Sequence, residues 1–127
     1  MKVKKIISLE KAAELVKMYE CCNTIIEIVT ELERYNIINC TDYELDVDYK
    51  LYTINDCGIC ALVKNLIKSQ NLKIQVIRVE SDQQIDYLRK NNIHSFPVLE
   101  IKAGEKTEFI TGSEAGAYIA SNMSRFK

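Results

Sequence analysis

Five cysteines stand in this chain of 127 residues, and two of them, Cys57 and Cys60, lie in the segment Asp56-Cys57-Gly58-Ile59-Cys60. Thiols at i and i+3 share one side of a helical turn and can bridge with little backbone movement if a helix starts between them. The first then sits at the helix N-terminus, where free backbone N–H groups and the positive end of the macrodipole favour thiolate over thiol. The thiolate is the attacking species in disulfide exchange, so Cys57 reads as the nucleophile. Cys60, flanked by Ile59, Ala61 and Val63, reads as the better shielded resolving thiol, which attacks the mixed disulfide and releases product. Asp56 modulates this, because a carboxylate beside the nucleophile stabilises thiol relative to thiolate. A reducing rather than oxidising site is expected, although the same aspartate also suits a plain turn or N-cap role.

Two blander readings stand beside this one, half of a zinc site and an inert packed pair. A closed zinc site needs four ligands. The chain has one histidine, His94, no second Cys-x-x-Cys, and no finger or ribbon spacing among Cys21, Cys22 and Cys40, so no metal is expected. His94, three residues before Pro97, is either a proton relay or a solvated loop residue. Cys22 falls on an apolar stripe, where free cysteine packs as a small hydrophobe.

The elements that must hold the pair follow from periodicity. Residues 8 to 36 read as helical, with Leu9, Ala12, Val16, Tyr19, Cys22, Ile26, Val29 and Leu32 at steps of three and four. Ser8 is an N-cap candidate, and Thr24-Ile25-Ile26-Glu27 fits a capping box, which allows a break near Cys22-Asn23. From Asn36 to Asp48 the helical pattern fades, and Asp42, Glu44, Asp46 and Asp48 suggest an exposed acidic connector, with a boundary near residue 46. Tyr49–Ile54 then reads as a strand. A helix over Gly58–Ser69 with Ile59, Leu62, Val63, Leu66 and Ile67 on one face comes next. Leu72–Val79 is apolar enough for the middle of a sheet, and Ser81-Asp82-Gln83-Gln84 caps a short helix to Asn91 that buries Ile85 and Leu88. Phe96–Lys102 and Lys106–Thr111 form a hairpin across Ala103-Gly104-Glu105. A last helix starts at Ser113 as N-cap, with Ala115, Tyr118, Ile119 and Met123 inward. The order is β-α-β-α-β-β-α, which places the cysteine pair at a strand-to-helix turn heading a βαβ unit.

Cys57-Gly58-Ile59-Cys60 after Lys50-Leu51-Tyr52-Thr53-Ile54, Ser95-Phe96-Pro97-Val98 before a strand, and Gly112 after the hairpin together resemble the thioredoxin superfamily over residues 47–127. The resemblance implies an α/β thioredoxin-like fold with a four-stranded mixed sheet, preceded by a helical extension and acidic connector over residues 1–46. It implies a cis Pro97 beside the cysteines and a Phe96 that pairs backbone to backbone with substrate, with Gly112 a third substrate-binding position. Ile59 stands where thioredoxins carry proline, Leu51 where they carry a buried aspartate, and Ile54 where glutaredoxins carry lysine, so the thioredoxin and glutaredoxin types both stay open.

The expected function is therefore a thiol-disulfide oxidoreductase working by mixed disulfide. It would bind no cofactor and draw reducing equivalents from a thioredoxin reductase or glutathione. Its partners would be a disulfide-containing protein and that reductase or glutathione. The alternative is a non-catalytic binding or adaptor module on the same scaffold, using its N-terminal helix for a partner or for homodimerisation. A net charge of -1, 47% apolar and 28% charged residues provide no field for nucleic acid or anionic lipid. The opening Met1-Lys2-Val3-Lys4-Lys5-Ile6-Ile7 is interrupted by Ser8, Glu10, Lys11 and Glu14 before a signal core can form. No stretch reaches membrane-span length, and a cytoplasmic location is expected, where thiols stay mostly reduced.

Overall fold

The structure, a computed structural model, describes residues 4–18 and 24–127. It divides into two compact units, Met1–Asp48 with Ile101–Glu108, and Tyr49–Glu100 with Phe109–Lys127.

In the first unit, strand β1 (Lys5–Ile7) pairs in parallel with β2 (Tyr43–Leu45), in the register Lys5↔Tyr43, Ile6↔Glu44 and Ile7↔Leu45. Parallel neighbours need a long crossover, supplied by helices α1 (Leu9–Leu15) and α2 (Ile25–Asn39). Ser8 caps α1 through its side chain, and Thr24 with Glu27 forms the full capping box of α2. Of the two arrangements the sequence left open, one long helix or a pair, the pair is present, and the apolar stripe changes phase between its members: Ala12, Ile25, Ile28 and Leu32 are buried, while Ile26 and Val29 are only half-buried. Tyr19, Cys21 and Cys22 lie outside the described residues.

The acidic stretch expected as an exposed connector contains β2 instead. Its charges alternate with apolar residues, so Glu44 and Asp46 face out while Leu45 is buried. Asn36 makes this possible, accepting from the Tyr43 N–H at 3.1 Å and donating to the Tyr43 carbonyl at 2.8 Å. One amide side chain on α2 thereby satisfies both backbone groups of a strand residue. Cys40, exposed, ends the helix in the left-handed conformation.

The second sheet has the order β4-β3-β5-β6, formed by β3 (Asp48–Thr53), β4 (Gln75–Arg78), β5 (Val98–Ala103) and β6 (Lys106–Thr111). β3 and β4 are parallel, joined through helix α3 (Gly58–Ser69). β5 and β6 are joined by only Gly104 and Glu105, a connection that only antiparallel strands permit. Helix α4 (Asp82–Lys90), capped by Ser81 and Gln84, and helix α5 (Ser113–Ser121) complete the set, followed by a short 3-10 turn at Met123–Phe126. The thioredoxin-like α/β order and four-stranded mixed sheet are present as the sequence implies.

Three details differ from expectation. β4 is an edge strand rather than a central one; Leu72 and Ile74 are buried ahead of it, while Gln75 and Val76 face outward. β5 takes the interior place, with Val98, Leu99, Glu100 and Ile101 all buried. At α5 the N-cap is Gly112, not Ser113, with φ 66° and no side-chain capping bond. The third, in α3, concerns the site and is described below.

Tyr52, Leu88, Ile93 and Val98 form a core against which Ile77, Val79, Phe96 and Phe109 pack. Beside it Glu100, only 3% exposed, accepts from Tyr87 Oη at 2.6 Å and more weakly from Tyr52 Oη at 3.4 Å. A buried carboxylate needs such donors. Burial, then the Glu100 charge and its hydrogen bond, push the Tyr52 hydroxyl from an ordinary 10.0 up to about 12. Tyr87 is raised as well, by burial first and then by its bond to Glu100.

Replacing Asn36 by Ala leaves two backbone groups of Tyr43 unpaired and is expected to cost about 1–3 kcal/mol, read as a lower urea midpoint at unchanged slope. The tyrosines generate a second expectation. Because folding raises the Tyr52 value, its contribution to stability is complete below pH 10 and is lost as pH climbs from 10 toward 12. The fall in denaturation midpoint across that window should be shallower in Tyr52→Phe.

Candidate functional site

β3 ends at Thr53, and Ile54-Asn55-Asp56 turn the chain into α3. Asp56 adopts φ 57°, a left-handed conformation that aspartate tolerates better than most residues. Cys57 is the N-cap, extended at φ -116° and ψ 107°. Its carbonyl accepts the Ala61 N–H at 3.1 Å, and its Sγ accepts the Cys60 N–H at 3.2 Å. Sulfur thus takes the place of the oxygen a serine or aspartate cap would offer to an orphan donor.

Cys57 and Cys60 are joined as a disulfide with their Cα atoms 5.2 Å apart. Cys57 is half-buried and Cys60 has no exposed surface. The first cysteine of the pair keeps part of its surface in solvent and the second keeps none. Gly58 leaves open space above the first turn, since a Cβ built there meets nothing within 4 Å.

The inward face of α3 is Cys60, Val63 and Ile67, not the expected face that begins with Ile59 and Leu62. Burial of Cys60 fixes the rotation of the helix, and Ile59 and Leu62 turn outward at 42% and 70% exposure. Ile54 is also exposed.

The Phe96–Pro97 peptide bond is cis. Pro97 is fully buried and Phe96 half-buried, packed like Ile77 and Val79 against the cluster that holds Tyr52 and Val98. Gly112 is tied to this loop, its N–H donating to the Pro97 carbonyl at 2.8 Å and its missing Cβ facing Ser95 Cβ at 3.8 Å. Asp56, Cys57, Cys60, Phe96, Pro97 and Gly112 all fall within the second unit. His94 and Cys40 are exposed, and neither is a neighbour of the pair in any described interaction.

Sequence reading missed the outward turn of Ile59 and Leu62, because an apolar residue at helical spacing carries no mark of which neighbour wins the core. It also missed Ser95 as the residue over Gly112. Glu100 and its tyrosines were unread too, although a glutamate inside an apolar strand was a visible signal. Among the described residues no group of three or more histidine, cysteine, aspartate or glutamate side chains is placed to hold a metal ion. No helix among them is long and apolar enough to cross a membrane.

Gly112→Ala should cost about 1–3 kcal/mol, because φ 66° with ψ -144° is a backbone region that L-residues avoid. Gly58→Ala should leave the denaturation midpoint unchanged or slightly raised, and a large loss there would contradict the open first turn.

Residues 49–105 match the Glutaredoxin family model. No curated protein matches the chain at a significant level. Among solved structures, a thioredoxin of Fasciola hepatica is similar at 16% identity, covering 77% of this chain and 93% of its own, with a TM-score of 0.45. Thioredoxin O2 of Arabidopsis thaliana, in its oxidised state, is similar at 20% identity over 64% of this chain and 76% of its own, with a TM-score of 0.44. The germline-specific thioredoxin Deadhead of Drosophila melanogaster is similar at 13% identity over 78% and 95%, with a TM-score of 0.45. The glutaredoxin match runs from β3 to the β5–β6 turn, so that stretch, with the cysteine pair at the head of α3, is similar to the Glutaredoxin family.

Proposed function

We propose that this protein is a thiol-disulfide oxidoreductase that reduces disulfides through Cys57 and Cys60. The observation that carries the reading is the asymmetry of the pair: Cys57, half-buried, caps the helix with its sulfur hydrogen-bonded, and Cys60 is fully buried one turn behind it. In the reduced protein the Cys60 N–H and the helix N-terminus favour the Cys57 thiolate.

That thiolate attacks one sulfur of the substrate disulfide and displaces the other as thiolate, which takes up a proton. The Cys60 thiol loses its proton and attacks Cys57 Sγ, so the Cys57–Cys60 disulfide forms and the second substrate thiolate leaves. Two electrons pass from the protein to the substrate. Phe96, Pro97 and Gly112 form the substrate-docking loop, in keeping with the Gly112 to Pro97 hydrogen bond. No cofactor is bound, and a thioredoxin reductase or glutathione returns the dithiol in a cytoplasmic setting. Asp56 tunes the thiolate toward the reducing side.

Cys57→Ser should abolish reduction of insulin or of a small disulfide. Cys60→Ser should accumulate a mixed disulfide on Cys57, visible by mass spectrometry and cleared by dithiothreitol. Undiminished turnover in Cys57→Ser would overturn the reading.

A further inference from the structure

Two glycines lie in helices, and they differ in the space around them. Gly58, between the cysteines, has nothing where a side chain would go, whereas a Cβ built on Gly116 meets Val63 Cγ2 at 3.0 Å. That is about 0.5 Å inside the separation at which carbon atoms pack. Gly116 stands in the middle of α5 without a positive φ, so the backbone does not call for glycine there, and only proline is a poorer helix former. What Gly116 supplies is room. Ala115 and Ile119, fully buried, lie on either side of it in the sequence of α5, and α5 packs against α3. Val63, itself buried, belongs to the same inward face of α3 as Cys60, one turn further along. All of these residues fall in the second unit.

Resting on the oxidoreductase reading, we infer that Gly116 is a positioning residue for the dithiol: its missing side chain lets α3 seat against α5 at Val63, and that seating places Cys60 behind Cys57. Valine is stiff at χ1 in a helix, so Cγ2 does not turn away from an added methyl, and the crowding is relieved by moving α3. Cys60, three residues and about 4.5 Å along the axis from Val63, moves with the helix. Cys57 is held from the other side as well, because residues 54–56 tie it to β3, which is paired between β4 and β5. A shift of α3 therefore acts across the cysteine pair. It weakens the hydrogen bond from the Cys60 N–H to Cys57 Sγ, made at 3.2 Å, and misplaces the Cys60 sulfur for its attack on the mixed disulfide. In that attack the Cys60 thiolate bonds to Cys57 Sγ, the bond from Cys57 to the substrate sulfur breaks, and the substrate leaves as a thiolate.

The test uses the full chain, reduced and freed of reductant, as wild type, Gly116→Ala, Val63→Ala and the double variant. Two quantities are read at Cys57 by peptide mass mapping. One is the pH midpoint of its alkylation by iodoacetamide; the other is the rate at which the mixed disulfide formed with 2-hydroxyethyl disulfide closes to Cys57–Cys60. Gly116→Ala should slow closure about threefold to tenfold, a fraction of the hundredfold or so that a 1 Å misplacement can cost. It should also move the alkylation midpoint upward, as the bond to sulfur weakens. In the Val63→Ala background, where the added methyl has room, the same substitution should move neither quantity. A merely structural role would lower the urea midpoint and leave both quantities in place. Values for Gly116→Ala equal to wild type, or a change of the same size in the Val63→Ala background, would overturn the inference while the oxidoreductase reading stands. Should Gly116→Ala alone fail to fold, the double variant decides: closure as fast as in Val63→Ala supports the inference, and slower closure overturns it. A wild-type protein that forms no mixed disulfide on Cys57 would overturn both.

Discussion

Cys60 packs without exposed surface under the first turns of α3, and the arrangement of the site follows from that burial. A helix has only one rotation that puts residue 60 fully in the interior. That rotation brings Val63 and Ile67 inward with it and leaves Cys57 at the rim of the first turn. It also sends Ile59 and Leu62 to the surface, against the local preference of apolar residues for the interior. Partial exposure of Cys57 and full burial of Cys60 are thus two sides of one packing choice.

The turn before the helix and the loop at Pro97 are held by backbone rather than by side chains. Asp56 and Gly112 both take positive φ, and the Gly112 N–H is spent on the Pro97 carbonyl. Cys57 substitutes for a capping oxygen at the only place where the helix has unsatisfied donors to offer. A donor that would otherwise need a serine or aspartate is directed at sulfur, so the cap of the helix and the hydrogen bond to Cys57 are one interaction.

Much of this was legible in the residues. The Gly58–Ser69 helix, the Ser81 capping box, the hairpin at Gly104 and the cysteine pair at a strand-to-helix turn could all be read because caps, turns and spacing act locally. Less legible were features decided by distant partners. β2 depends on Asn36 seven residues earlier, and its acidic alternation resembles a solvated linker until Leu45 finds a core. The edge position of β4 depends on which strand lies beside β3, and an apolar run cannot report that. The α3 face failed for a similar reason: spacing located a stripe but not which half of it the sheet would claim.

Glu100 beneath Tyr52 and Tyr87 gives the far side of this unit something that aliphatic packing does not provide, a preferred register. Apolar side chains tolerate small slides of one element over another, since many neighbouring arrangements bury similar area. A carboxylate with two phenol donors tolerates far fewer. Moving α4 along by one residue would carry Tyr87 about 100° around the helix and strand a buried acceptor without its shorter hydrogen bond. The polar contact therefore acts as an alignment key for α4 on the sheet, distinguishing the native placement from near-isoenergetic neighbours that hydrophobic burial alone would leave in competition.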